Sequence, residues 1–84
     1  MSDRQKIVDT ITEHLRTVLT DVGDGPIAED RDLRDFAGFD SLGILETLVW
    51  LESTFSVTIP DEELVVDDFA AVGKMADYVQ SKAG

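Results

Sequence analysis

Between residues 3 and 20 the apolar side chains Ile7, Val8, Ile11, Leu15, Val18 and Leu19 recur at spacings of three and four. That is the one-sided stripe of an amphipathic helix. The stretch that follows, TDVGDGPIAEDRD, holds two glycines, a proline and several acids. It has no period and predicts a long loop running to about Asp40, with Leu33, Phe36 and Phe39 in its second half plugging it onto the core. A second helix is predicted over residues 41 to 55, and at about 100° per residue its apolar side chains fall into two groups. Ile44, Leu48, Leu51 and Phe55 mark a core face. Leu42, Leu45 and Val49 form a second stripe about 120° away, flanked by Glu46 and Glu52, and Ser41 projects between the two. The second stripe has two readings: a docking surface bordered by acids, or a face packed under the long loop.

After Phe55, SVTIPDEELVVDD is too short and too acidic for a pair of strands, and Pro60 ends one run and is placed to start a single turn. Asp67 or Asp68 can cap what comes next. Phe69, Val72, Met75, Ala76 and Val79 keep helical spacing nearly to the end, and Lys74 and Lys82 read as complements to a C-terminal dipole. A short helix near 67 to 71 and a last one near 72 to 82 follow. The predicted fold class is therefore all-α, a four-helix bundle of three longer helices and one short one, with residues 1 to 84 forming one domain.

Composition narrows the chemistry. At 84 residues and 43% hydrophobic content, the chain supports one core, burying about 60 to 65% of the surface of its unfolded form. It has no cysteine, which excludes disulfides, thiolate zinc sites and a cysteine nucleophile and suits a reducing cytosol. The charged opening MSDRQKIVDT shows no signal-peptide pattern, and no run of about 18 apolar residues occurs, so a cytoplasmic, soluble chain with no membrane partner is expected. Formal net charge is -11, which argues against nucleic acid. The acid is concentrated: from Asp35 to Gly73 there are nine acids and no basic residue. A solvated surface explains this blandly; a field that steers toward basic docking patches explains it more sharply.

The acids of the long loop invite a calcium reading. An EF-hand starting at Asp21 would place Gly23 and Gly25 at ligand positions and Pro26 at the obligatory turn glycine, so the motif fails and no metal site is expected. Ser41 has more candidates. Asp40 and Ser41 are both favoured helix caps. As a hydrolase nucleophile Ser41 is in the wrong register, because Gly38 lies three residues before it where the G-x-S-x-G elbow needs two. The single histidine, His14, sits in the first helix and reads as a surface residue rather than as half of a triad. Nor does so small a bundle offer an apolar cleft to separate the pKa values of paired carboxylates. Catalytic residues are thus not expected. A modification site remains, since an anion attached at a helix N-terminus meets free amides and the positive end of the dipole.

The run GFDSLGILETLVWLESTFSVTIPDEEL resembles the acyl carrier proteins and the related peptidyl carrier domains. Their hallmark is Asp-Ser-Leu opening the second helix, a glutamate four residues past the leucine and Ile-Pro-Asp-Glu-Glu after the helix. Here these are Asp40, Ser41, Leu42, Glu46 and residues 59 to 63. The resemblance covers essentially the whole chain and implies a monomeric carrier bundle that performs no reaction itself. It implies that a magnesium-using phosphopantetheinyl transferase places 4′-phosphopantetheine from coenzyme A on Ser41, between Asp40 and Leu42. The arm would present a thioester cargo to acyl-loading and acyl-processing enzymes with basic docking patches. Leu42, Leu45 and Val49 correspond to the family's docking positions, and Glu46 and Glu52 to its acidic rim.

Departures bear on the cargo. Gly43 stands where fatty-acid-synthesis carriers usually have an acid, Ser53 and Thr54 replace two further acids, and Trp50 replaces a smaller residue. The Asp-Phe-x-x-Val pattern at Asp68, Phe69 and Val72 is more similar to stand-alone carriers of polyketide, nonribosomal peptide and related loading systems. The resemblance therefore points to an acyl carrier of polyketide or related specialised metabolism. The alternatives are an aminoacyl or peptidyl carrier, including the D-alanyl type, and an unmodified acidic helical interaction module in which Ser41 only caps the helix.

Overall fold

A computed structural model of the chain describes residues 3–19, 27–60, 62 and 64–83. Three α-helices carry the fold: α1 (Asp3–Val18), α2 (Ser41–Phe55) and α3 (Val72–Ala83). Among the described residues, 3₁₀ turns at Leu33–Asp35 before α2 and at Val66–Phe69 before α3 lie between them, and Glu62 also has 3₁₀ geometry. No strand occurs among the described residues. The all-α expectation holds, and α2 has the bounds its pattern predicts.

The fourth helix is different from expectation. The predicted short helix over 67 to 71 is a single 3₁₀ turn, starting one residue earlier and leaving helical geometry at Ala70. Val65 occupies its cap position and makes no side-chain cap bond, so the turn lacks the cap that would favour a longer helix. Asp67 and Asp68 lie inside the turn and cap nothing. The Asp67 carboxylate instead meets Arg34 at 2.6 Å, and its carbonyl accepts the Lys74 ammonium at 3.0 Å. Lys74 therefore serves the start of α3, not its C-terminal dipole; Lys82 alone of the two lies in the last turn. Thr20, the loop acids and glycines up to Pro26, and Asp61 and Glu63 after Pro60 lie outside the described residues.

α1 packs chiefly on α3. Ile11 and Leu15 from α1, Leu51 from α2, and Val72, Met75 and Val79 from α3 are all essentially inaccessible. Burying each such side chain stabilises by about 1.5–3 kcal/mol. The long loop is plugged as its spacing predicts: Leu33 and Phe39 are buried, and Phe36 is half-buried beneath the Arg31 guanidinium. The Leu33 amide donates to the Ala70 carbonyl at 2.8 Å, tying the two 3₁₀ turns together.

His14 departs from its surface assignment. Its ring is half-buried and stacks on Trp50, which accounts for the large residue at that position of α2: it fills the seam between α1 and α2. Phe55 meets the Trp50 edge in a T-shaped contact.

Candidate functional site

Asp40 settles which residue caps α2. Its backbone is extended, its Oδ1 accepts the Gly43 amide at 2.9 Å, and its carbonyl accepts the Ile44 amide at 2.8 Å. Ser41 is the first helical residue and is exposed. Among the described residues its hydroxyl has no hydrogen-bond partner, so the helix start does not depend on it.

The first turn is pinned from behind. A Cβ on Gly43 would fall 2.2 Å from the Gly38 carbonyl oxygen, and one on Gly38 would fall 2.8 Å from that of Val18. Two backbone segments thus touch where any side chain would intrude, and Ser41 is held against the end of α1 through them. One turn on, Thr47 is buried and its Oγ1 donates to the Gly43 carbonyl at 2.8 Å. A wheel that scores only apolar residues overlooks this face. Its legible signal is the pair of small residues Gly43 and Thr47 at a spacing of four.

Contrary to the expectation that so small a bundle offers no apolar cleft, one of about 300 Å³ lies in front of Ser41, lined by Ser41, Ile44, Leu45, Leu48, Leu64 and Val66 and, among the described residues, by no carboxylate. Ile44 and Leu48 belong to the face of α2 that the sequence marks as core. Leu64 and Val66, across the cleft, come from a segment whose pattern gave no such role. The stripe of Leu42, Leu45 and Val49 is 63%, 55% and 57% exposed, so the loop does not cover it. Glu46 is exposed beside this stripe. Glu52 is drawn inward: it is half-buried, and its Oε2 accepts the Ile59 amide at 3.0 Å, holding the segment that leaves α2.

Arg4 and Arg34 are engaged elsewhere. Arg4 bridges Glu29 and Asp77, and Arg34 bridges Asp32 and Asp67, with both guanidinium groups held more firmly protonated by these bonds. The hydrogen bonds from Arg34 also hold the Asp32 carboxyl below the usual carboxylate range. His14, on Trp50, is not among the residues lining the Ser41 cleft. Among the described residues no group of three His, Cys, Asp or Glu is arranged to hold a metal, and no helix is long and apolar enough to cross a membrane.

Comparison with known proteins gives the geometry its family. Residues 9–79 match the Phosphopantetheine attachment site family, and the chain belongs to it. A D-alanyl carrier protein of Streptococcus uberis is 34% identical over 80 residues, covering 95% of this chain and 94% of that relative. D-alanyl carrier proteins of Streptococcus pyogenes serotypes M5 and M49 are each 43% identical over 51 residues, 61% of this chain and 65% of theirs. The chain is thus a carrier protein, not an enzyme: its family bears 4′-phosphopantetheine covalently on a serine. Such a carrier works with a transferase that installs the group and with enzymes that load and use it.

Proposed function

We propose that Ser41 is the attachment serine and that this chain, as one carrier domain, bears an aminoacyl cargo of the D-alanyl type. The observation that carries the assignment is the exposed Ser41 hydroxyl, unengaged among the described residues, on the first turn of α2 at the rim of an apolar cleft. Two other serines fall inside the family match. Ser53 lies near the far end of α2, and Ser56 is its left-handed C-cap at φ 56°, away from any helix N-terminus. At Ser41 an attached anion meets the positive end of the α2 dipole, and the Asp40 cap takes the Gly43 amide, leaving those of Ser41 and Leu42 without a partner among the described residues. The 4′-phosphopantetheine group supplies a thiol that carries cargo as a thioester. Ser41 fixes where the arm begins; Ile44, Leu48, Leu64 and Val66 offer an apolar wall beside it.

The polyketide reading rests on the departures from the fatty-acid type at Gly43, Trp50, Ser53 and Thr54 and on the Asp68–Phe69–Val72 pattern. The D-alanyl reading is supported by relatives of that name, one of them matching nearly end to end. Two assays test the proposal. Incubation with coenzyme A and a promiscuous transferase, followed by peptide mass mapping, is expected to place the addition on the peptide containing Ser41; addition at Ser53 or Ser56 would refute the site. Loading of the modified protein with ATP, D-alanine and a D-alanine-activating enzyme is expected to outrun loading with malonyl groups by a malonyl transferase. The reverse order would return the chain to polyketide-type carriers.

Leu42, Leu45, Val49 and Glu46 form the proposed docking face, with Glu52 buttressing the end of the helix behind it. Leu45→Arg is expected to slow partner turnover about tenfold, the equivalent of roughly 1.4 kcal/mol at a central contact. Because Leu45 is more than half exposed, stability should stay within about 0.5 kcal/mol. Equal losses of turnover and thermal stability would make Leu45 a packing residue instead.

A further inference from the structure

α1 meets α2 through two stacked rings. The His14 imidazole lies on the Trp50 indole with centroids 4.0 Å apart and planes 11° from parallel, and Phe55 meets Trp50 at 5.8 Å. His14 Nε2 is buried and has no hydrogen-bond partner among the described residues. A neutral imidazole can leave one acceptor nitrogen against an apolar neighbour at modest cost. An imidazolium has donors on both nitrogens, and a charged donor buried without an acceptor is far less tolerable.

The surroundings act in two directions. Glu46, one turn before Trp50 on α2, is the charged side chain of another element whose field reaches the ring, and it favours the cation. The Trp50 face favours it too. On α1 the positions one turn away, Thr10, Ile11, Thr17 and Val18, are uncharged, while Glu13 and Arg16 flank His14 along the chain. Burial opposes the cation and prevails over Glu46, holding the imidazole below its ordinary value of 6.5.

We propose that the His14–Trp50 stack is a proton-sensitive joint between α1 and α2. With a neutral ring the seam is sealed. Uptake of a proton draws His14 off the indole toward solvent and toward Glu46, so that α2 loosens along its Trp50 side. On the wheel, Glu46 lies between Trp50 and the exposed stripe, so the same event offsets an acid of the proposed docking face. That consequence rests on the docking reading, whereas the joint does not.

The sign follows from linkage. A base held below its unfolded value contributes stability that is fully present above about pH 6.5 and is lost as pH falls through the folded value. Ordinary carboxylates titrate near 4, clear of the upper part of this window. The chain has one tryptophan and one histidine, so Trp50 fluorescence and the His14 ring resonances in NMR each report on a single residue. On acidification of the unmodified full chain from pH 8 to 5, both are expected to move with one midpoint below 6.5. The fluorescence step should vanish in His14→Phe, and Glu46→Gln should displace the midpoint further down. A His14 midpoint at or above 6.5, or the same fluorescence step in His14→Phe, would overturn the joint. Should His14→Phe fold poorly, the wild-type ring titration and the Glu46→Gln displacement decide alone. Neither readout depends on whether Ser41 is modified or where partners dock.

Discussion

Ser41→Ala is expected to gain no mass on incubation with coenzyme A and a phosphopantetheinyl transferase, where the parent chain gains one phosphopantetheinyl group. The change is all-or-none because it removes the only atom of residue 41 able to form the ester. It should do so with little effect on the fold. The cap that closes α2 belongs to Asp40, whose Oδ1 holds the Gly43 amide, and the Ser41 hydroxyl holds nothing among the described residues. A surface substitution of this kind stays within about 0.5 kcal/mol. Circular dichroism and a thermal melt should therefore superimpose on the parent while mass spectrometry separates the two. The contrast with Asp40→Ala sharpens the test: losing that cap costs roughly 1 kcal/mol of stability and leaves the hydroxyl in place. Mass addition that persists in Ser41→Ala would remove Ser41 from its assigned role.

Gly43→Ala should destabilise the chain, even though alanine is the better helix former by about 1 kcal/mol. The added Cβ would fall 2.2 Å from the Gly38 carbonyl oxygen, a backbone atom that cannot swing aside as a side-chain tip can. Gly38 is itself confined by the Val18 carbonyl, so relief requires moving the segment that carries buried Phe39 and the Asp40 cap. Overpacking of this kind typically costs about 1–3 kcal/mol, and for a chain of this size each kcal/mol lowers Tm by about 4–8 °C. Gly73→Ala is the matched comparison. There the nearest atoms, all of Glu29, lie at 3.2 Å and two of the three belong to its side chain, so a smaller loss is expected. A Gly43→Ala melt at or above the parent would show that the loop retreats freely.

The three helices were legible because each has an apolar stripe of the right period, and α2 was legible to the residue because Asp40 and Ser41 mark its start. The exposed stripe of Leu42, Leu45 and Val49 was legible for the same reason: it is a second stripe on a helix that needs only one to pack. What escaped the pattern involves backbone and polar groups. Gly43 reads in sequence as a missing acid, but in space it is the one residue that admits the Gly38 carbonyl. Glu52 reads as part of a rim, yet its carboxylate serves an amide seven residues away. His14 reads as a surface residue because its partner, Trp50, lies on another helix. The turn before α3 reads as a helix because Asp67 is a good cap by type. Arg34, 33 positions away, claims that carboxylate first.

The division of labour at the start of α2 also orders events in time. Because the neighbouring aspartate closes the helix, a newly synthesised chain can complete its fold with the serine still bare and, with Ser41 as the proposed attachment point, wait in that state for its transferase. Removal of the arm by a hydrolase would return it to the same folded form. Attachment and release can then cycle many times within the lifetime of one molecule, with no round of unfolding in between.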